Sequence, residues 1–458
     1  MTTALILAAG KGTRMKTEIP KCAYPILRKP MISYIVEKLE KSSEINKIVC
    51  VVGYKKEVFY DLLSDRVEFA VQEQQLGTAN AVHSAKTILE GKEGTTLILP
   101  GDVPLMSVKL TDKIIKAHKD MGNDLTVVSM NMVNPKGYGR IIRSKYDVVE
   151  KIVEEKDANE YEKQVHEVNS GVYVVNNKYL FEILKYIKSE NKQQEYYLTD
   201  IVELMSKDYK IGVFSVRDTT QVMGVNDLYH ISVAEKQLRE VINKDHMING
   251  VSMVNPETIT IGYDVSIEPG VVILPNTTIT GHSVIKTDSV IGPNSEIHQS
   301  NIYNNVHIKH SIVYDSTVME NSTIGPFAHL RNNAVIGPDN RIGNFVEVKN
   351  SQTGYDTKAA HLSYIGDSNV GSRVNFGCGS ITVNYDGVSK HKTNIGDDVF
   401  IGCNVNLVAP LNISNNVFIA AGSTVTKDVP EGSLAIARGK QVNKADYFTH
   451  LIKPKPSK

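Results

Sequence analysis

Apolar residues fall on every sixth position through most of the second half of this chain. Ile261, Ile267, Ile273, Ile279, Ile285, Ile291 and Ile297 share one phase. After a slip the beat resumes as Ile312, Val318, Ile324, Leu330, Ile336, Ile342 and Val348, and again as Ile395, Ile401, Leu407, Ile413, Ile419 and Val425. An α-helix repeats every ~3.6 residues and a flat strand every two, so neither produces this spacing. A short strand followed by a tight corner does, with one aliphatic side chain pointing inward from each face. The pattern predicts a parallel β-helix of hexapeptide repeats. At three faces and about 18 residues per coil, rising about 4.8 Å each, it forms a prism about 40 Å long. It begins near Val251 and fades after Val429.

Between Val348 and Ile395 the beat fails, with only Val370 and Phe376 briefly on the same spacing. A solenoid takes up insertions as loops that leave the prism, and such loops are where solenoids carry function. The polar residues of this window, Lys349, His361, Tyr364, Asn375, Asn384 and Tyr385, with Arg331 just ahead, are therefore candidates for chemistry.

The first half reads differently. Short β-branched runs at Ala4 to Ala9, Ile48 to Val52, Thr96 to Leu99 and Leu125 to Met130 are separated by helical patterns. This alternation predicts an α/β domain, a mostly parallel sheet with helices on both faces and ligands beyond the carboxyl ends of its strands. The turns at Gly10 and Asp102 lie at such ends. Three segments are expected: residues 1–226, a helical linker over 227–250, and 251–458. The linker carries Leu228, Ile231, Leu238, Val241 and Ile242 at helical spacing, and the last segment ends in a basic, loosely held tail from Lys440 to Lys458.

Bulk properties exclude several roles. Lysine plus arginine equals aspartate plus glutamate at 51 each, so no long-range field draws in nucleic acid or an anionic membrane. The cysteines Cys22, Cys50, Cys378 and Cys403 have neither metal-site spacing nor the density of a disulfide scaffold, which suits a reducing cytoplasm. The start, with its apolar run before its charges, reverses the order of a signal peptide, and no stretch approaches the roughly 20 apolar residues of a membrane span.

The first strand opens into Leu7-Ala8-Ala9-Gly10-Lys11-Gly12-Thr13-Arg14-Met15, and Pro20-Lys21 follows. Glycines let successive backbone N–H groups turn toward a polyphosphate, which Arg14 and Lys21 can neutralise. Taken alone, the same glycines serve equally in a tight strand-to-helix turn. The order and spacing of further motifs are more specific: Gln72 with Gln75-Leu76-Gly77-Thr78, Gly101-Asp102-Val103-Pro104-Leu105, Gly137-Tyr138-Gly139-Arg140, Val153-Glu154, Val168-Asn169-Ser170-Gly171 and Gly224-Val225-Asn226. Together they resemble the signature of sugar-1-phosphate nucleotidylyltransferases.

Nucleotidylyl transfer brings two polyanions together, so positioning and charge neutralisation carry most of the catalysis. Asp102 offers a carboxylate oxygen and Asn226 a carbonyl oxygen, a pair that suits Mg²⁺ with phosphate and water completing its octahedron. Alone, Asp102 reads equally as a turn or N-cap residue, and Asn226 as a cap for the following helix. The resemblance implies that Leu7, Ala8, Ala9, Gly10, Lys21, Gln72, Gly77 and Thr78 hold UTP, with Gln72 reading uracil. It implies that Gly139, Glu154, Asn169 and Asn226 hold N-acetylglucosamine 1-phosphate, and that Arg14 and Lys21 stabilise the phosphoryl group in transfer.

In the second half, moving an acyl group from a thioester to an amine requires the amine unprotonated, a task for a base that titrates near neutrality. His361 is the candidate, although a lone histidine in a loop is commonly a surface hydrogen-bonder, as His298, His307 and His310 read. Its company is Ala359-Ala360-His361-Leu362-Ser363-Tyr364-Ile365-Gly366-Asp367, then Val374-Asn375-Phe376-Gly377, then Thr382-Val383-Asn384-Tyr385-Asp386-Gly387. These segments resemble the acetyltransferase half of the bacterial bifunctional N-acetylglucosamine-1-phosphate uridylyltransferase and glucosamine-1-phosphate N-acetyltransferase family. With the first half matching as well, the resemblance covers essentially the whole chain.

That resemblance implies acetyl transfer from acetyl-CoA to glucosamine 1-phosphate, then uridylyl transfer from UTP with release of pyrophosphate, supplying UDP-N-acetylglucosamine for peptidoglycan and other wall polymers. It implies that Arg331, Lys349, Tyr364 and Asn375 hold glucosamine 1-phosphate, and that Cys378, Asn384, Tyr385, Cys403, Ala421 and Arg438 line the acetyl-CoA cleft. It also implies left-handed winding and a homotrimer. The chain departs from the family pattern at Cys378, where alanine is usual, and Cys403, where serine is usual. Neither is read as a nucleophile, because direct transfer needs no acyl-enzyme. Two other readings stay open: a single-activity nucleotidylyltransferase whose β-helix only oligomerises or regulates, and a non-catalytic scaffold.

Overall fold

In the computed structural model, which describes residues 1–451, the chain divides into two compact units, Met1–Glu240 and the part from Val241 onward. The first is built on one sheet whose strands run, from one edge, Ile211–Val216, Leu125–Asn131, Glu167–Asn176, Thr95–Pro100, Thr2–Leu7, Lys47–Val52 and Glu68–Val71. All neighbours in this path pair in parallel except around Glu167–Asn176, which is antiparallel to both of its neighbours. Alternation along each strand sends residues to opposite faces. Ala4, Ile6, Cys50, Val52, Leu97 and Leu99 pack on one side with Ile32, Ile35, Leu39 and Ile114, whereas Leu5, Val49, Val51 and Ile98 pack on the other with Val82, Leu180 and Val202.

The helices have legible ends. Val108–Met121 begins at Ser107, whose Oγ accepts the Leu110 N–H at 3.2 Å, and stops at Gly122 with φ 56°. The central strands Thr2–Leu7 and Thr95–Pro100 are adjacent and parallel, and their chain connections leave toward opposite edges. This is the switch point at which α/β sheets hold ligands. The strand read as Ala4 to Ala9 ends at Leu7, because the chain turns away once the Ala8 N–H has reached the Val51 carbonyl at 2.9 Å.

A helix spans Leu228–Ile248. Ile231, Ala234, Leu238 and Ile242 are buried, but Leu228 and Val241, read above as part of the apolar stripe, are exposed at 48% and 64%. Their angular positions lie off the stripe that Ile231, Ala234 and Leu238 define.

The second unit is a parallel β-helix, consistent with left-handed winding. Successive coils pair in register, as in Ile261 with Ile279 and Ile279 with Ile297. Three columns of left-handed corner residues separate the faces, many of them Asn or Asp, such as Asn276 and Asn294, Asp288 and Asn305, and Asp315 and Asn333. Short polar side chains tolerate that conformation best. Strands continue to Leu434–Ala435, slightly beyond the limit that the beat suggested. Of the basic tail, Tyr447–Leu451 is helical and 452–458 lie outside the described residues.

Two corrections follow from the register. Ile312 is 40% exposed and Val313 is fully buried, so the inward position is Val313. The slip is a compression in which Ile297 pairs with Val313 and Ile302 with Val318, shortened coils whose faces stay aligned. The beat also does not fail at Val348. It continues through Thr353, Ala359, Ile365, Val370, Phe376 and Thr382, all buried, and only after Thr382 does the chain leave the prism before Ile395. Threonine and alanine at inward positions hid it. Among the described residues no helix is long and apolar enough to cross a membrane.

Removing two buried methyl groups by Val313→Ala should cost about 2 kcal/mol. Ile312→Ala should change stability by less than about 0.5 kcal/mol. Urea midpoints of the two variants decide between the phases, and equal losses would restore the six-residue reading at Ile312.

Candidate functional sites

In the first unit a cavity of about 490 Å³ opens beyond the switch point, lined by Leu7, Ala9, Gly10, Arg14, Lys21, Gln72, Gly77, Thr78 and Asp102 among others. Eight of these nine are the residues singled out above for nucleotide or phosphoryl binding, and Asp102 is the metal candidate. Ala8 is the exception: it is buried, and its N–H is already given to Val51, so it supports the turn from behind. Gln72 is fixed by donating to the Gly77 carbonyl at 3.1 Å and to Asn80 Oδ1 at 2.8 Å.

Two glycines are required by close approach. A Cβ on Gly12, at φ +63°, would lie 2.4 Å from Lys21 Cβ, and one on Gly77, at φ +126°, would lie 2.5 Å from the Tyr196 carbonyl oxygen. The second contact brings the segment around Glu195 to the cavity wall. No sequence signal links Glu195 to the motif residues; the pairing of Tyr196 with Leu76 and Ala79 and the Leu198 N–H bond to the Thr78 hydroxyl do.

Lys21 is the hub of the charged groups. Its Nζ ion-pairs with Asp102 and donates to Asn226 Oδ1 at 2.8 Å, and Arg14 donates to the same amide oxygen at 2.9 Å. A carboxylate oxygen and an amide oxygen thus face one cationic centre, a hard-oxygen pair of the kind Mg²⁺ takes. Among the described residues no cluster of three or more His, Cys, Asp or Glu could hold a metal, so phosphate and water would have to supply the other ligands.

Gly139, Glu154 and Asn169 gather separately from this hub. The Asn169 N–H donates to the Gly139 carbonyl at 2.9 Å, and its Nδ2 donates to the Tyr173 hydroxyl at 2.6 Å. A Cβ on Gly139 would sit 3.5 Å from a Glu154 carboxylate oxygen. Burial raises the Glu154 pKa, with Asp200, Asp157 and Glu195 adding to the effect and the Thr199 hydroxyl opposing it. Glu154 also lines a neighbouring cavity of about 400 Å³ with Asp157, Tyr197 and Asp200.

In the second unit, stacking builds two groups. Arg331 pairs in register with Lys349, and Glu347 with Tyr364. Arg331 is held by Glu347 at 2.6–2.7 Å, while Lys349, nearly buried, lies 3.2 Å from Asp367. Asp367 also accepts from Asn350 and Asn384, and Asn384 reaches the Tyr364 hydroxyl at 3.4 Å. Lys390, which the sequence did not single out, lies beside the Lys349 amine; that contact, with the Arg331 charge beyond, lowers its pKa. It enters on the inserted loop after Thr382, where no periodicity marks it.

The other group is a column. His361 stands on the strand Lys358–Gly366 just before a corner, not on the loop expected for it, and pairs in register with Asn344. Its Nδ1 lies 2.8 Å from Asn344 Oδ1. An amide oxygen can only accept, so Nδ1 carries the proton and the Nε2 lone pair is left to act as base. Asn344 was missed, though its place one coil before His361 was the available signal. Backbone bonds continue the stack: Gly379 N to the Leu362 carbonyl, Asn404 N to the Cys378 carbonyl and Gly422 N to the Cys403 carbonyl, at 2.7–2.8 Å. His361, Cys378, Cys403 and Ala421 therefore lie on successive coils, and Arg438 closes the column by donating to the Ala421 carbonyl at 2.9 Å. Asn384 joins the Arg331–Lys349 group instead, Tyr385 is exposed on the inserted loop, and Asn375 pairs with Lys358 and Phe400 on a neighbouring column.

Burial alone would raise the Asp367 pKa, but hydrogen bonds from Asn350, Lys349 and Asn384 outweigh it and hold the carboxyl below its ordinary value. A carboxylate depressed in this way stabilises the fold fully above the unfolded value of about 4, and the contribution is lost as pH falls through the folded value. Asp367→Asn should therefore lower stability at neutral pH and flatten its decline below about pH 4. Urea midpoints as a function of pH test this; parallel curves for variant and wild type would refute it.

The chain matches the family model described as nucleotidyl transferase over residues 3–221 and that described as GMPPB C-terminal domain over 257–353, the latter ending before the strand that carries His361. It is similar over its whole length to proteins named bifunctional protein GlmU. That of Acholeplasma laidlawii is 61% identical over 99% of each chain. The Staphylococcus epidermidis protein is 48% identical over 97% of this chain and 99% of its own, and that of Listeria welshimeri is 44% identical over 98% of each.

Proposed function

The chain belongs to the bifunctional GlmU family, and from that premise we propose that it makes UDP-N-acetylglucosamine in two steps. It is an enzyme that transfers acetyl from acetyl-CoA to glucosamine 1-phosphate and then uridylyl from UTP to N-acetylglucosamine 1-phosphate. We assign uridylyl transfer to residues 1–226 and acetyl transfer to 251–458, with 227–250 as the helical connection. The observation that most supports the second activity is the column Asn344, His361, Cys378, Cys403, Ala421 beside the Arg331–Lys349 pair. A β-helix that only oligomerised would need neither.

For uridylyl transfer, Leu7, Ala9, Gly10, Gln72, Gly77 and Thr78 form the nucleotide wall, with Ala8 supporting the turn from behind. Gly139, Glu154 and Asn169 receive the acetylated sugar. As the sugar phosphate oxygen attacks the α-phosphorus and pyrophosphate departs, Arg14 and Lys21 offset the charge that builds on the transferring group. Asp102 and Asn226 would hold Mg²⁺, which supplies charge neutralisation between the phosphates.

For acetyl transfer, Arg331 and Lys349 grip the sugar phosphate, the first as a planar fork and the second as a point charge. Tyr364 and Asn375 orient the ring. His361 Nε2 takes the proton from the amine as it attacks the thioester carbonyl, while Asn344 holds the imidazole in the tautomer that leaves Nε2 basic. The tetrahedral adduct then collapses with loss of the coenzyme thiolate. Cys378, Cys403, Ala421 and Arg438 line the coenzyme's path, Tyr385 approaches from the inserted loop, and Asn384, bound to Asp367, stands at the boundary with the sugar-phosphate group. A cytoplasmic homotrimer completes this reading.

Asp102→Ala should reduce uridylyl transfer by several orders of magnitude and spare acetyl transfer. Near-normal uridylyl transfer by this variant at limiting Mg²⁺ would make Asp102 a turn residue. His361→Ala should lower acetyl transfer by about 10² to 10⁴ and spare uridylyl transfer, with the deficit shrinking as pH rises because more amine arrives deprotonated. The comparison is the pH profile of acetyl-transfer kcat/KM. An unchanged profile would return the β-helix to a binding module.

A further inference from the structure

The four cysteines fall into two classes. Cys22 and Cys50 are buried; burial, with Asp102 beside it, pushes the Cys22 thiol up to about 12, and burial raises that of Cys50 as well. Such thiols are inert. Cys378 and Cys403 are both exposed.

These two also share one register position on adjacent coils. Phe376 pairs with Ile401, Gly377 N donates to the Ile401 carbonyl at 2.7 Å, and Asn404 N donates to the Cys378 carbonyl at 2.8 Å. Backbone bonds therefore flank the two cysteines on both sides. Parallel neighbours are about 4.8 Å apart, inside the Cα separation of about 4.4–6.8 Å that a disulfide spans. The inserted segment makes them distant in sequence although they are adjacent in space, so spacing alone conceals the pair.

We propose that Cys378 and Cys403 form a dithiol site that low-molecular-weight disulfides oxidise to an intrachain cross-link. One thiol loses its proton to solvent, and its thiolate attacks the small disulfide, breaking the S–S bond and expelling one thiolate. The second cysteine thiolate then attacks the protein-bound sulfur of the mixed disulfide, forming the Cys378–Cys403 bond and releasing the other small thiol. Two electrons pass from the protein to the small disulfide, and dithiothreitol reverses the process.

The cross-link closes a loop that carries Asn384, Tyr385 and Lys390. The effect on catalysis rests on the reading above, in which the two sulfurs line the coenzyme cleft; oxidation then blocks acetyl transfer and leaves uridylyl transfer alone.

The test treats the full-length protein with glutathione disulfide, with and without acetyl-CoA, and maps non-reduced peptides by mass spectrometry. The expected result is a Cys378–Cys403 linked pair that dithiothreitol removes and that Cys378→Ser or Cys403→Ser each abolishes. Acetyl transfer should fall in proportion to the linked fraction, and acetyl-CoA should slow linkage. Recovery of only free or glutathione-capped thiols overturns the proposal. A linked pair whose formation ignores acetyl-CoA and spares acetyl transfer supports the dithiol site and overturns the assignment of these residues to the coenzyme cleft.

Discussion

In-register parallel strand pairing decides which side chains meet in both units. In the first it places the ends of Thr2–Leu7 and Thr95–Pro100 side by side, so that the Gly10 turn and Asp102 border one cavity. In the second it converts a spacing of one coil into contact, setting Arg331 beside Lys349 and Asn344 beside His361. Because side chains alternate between faces, a slip of one residue would point each of these outward or inward wrongly. The β-helix avoids that fault when its length changes. The shortened coils keep Ile297, Ile302, Val313 and Val318 all inward, so the deletion is taken up where no face residue is lost.

Charge in both sites is organised around a single group. Lys21 gathers Asp102 and Asn226, and Asn226 in turn draws in Arg14. A buried charge is tolerated only with partners of this kind, and removing one partner leaves the other exposed to the cost of burial. The oxygens that favour a divalent cation are thus the same ones that settle the lysine. In the β-helix, Asp367 plays the corresponding part for Lys349, Asn350 and Asn384.

Much of this was legible in the sequence because it depends on local pattern. The six-residue beat gives the solenoid, and the glycine turn, Gln72, Gly77 and Asp102 give the cavity, since each motif follows the end of a predicted strand or opens a helix. What was illegible depends on tolerance or on long-range pairing. Thr353, Ala359 and Thr382 face inward without being large aliphatics, so an aliphatic beat breaks across them and puts His361 on a loop, whereas it stands on a strand. Ile312 and Val313 are both apolar, and hydrophobicity could not choose between them. Asn344, Glu195 and Lys390 reach their sites only through pairings that no motif encodes.

The insertion after Thr382 shows why the solenoid interrupts itself where it does. Asn384, at its start, is bound by Asp367, and the His391 N–H returns to the Asn384 carbonyl at 2.8 Å, so the loop is pinned at its root. Within it Asp386 accepts from the Val388 and Ser389 N–H groups and from His391, contacts that keep its carboxyl well below the ordinary range. A loop so constrained has a defined shape despite its exposure, and it delivers Lys390 to Lys349. Asp367 therefore serves two ends: it neutralises Lys349 and anchors the segment that brings Lys390. Removing it would disturb both at once, which is a stronger constraint on that corner residue than the left-handed geometry it shares with the other corner aspartates and asparagines.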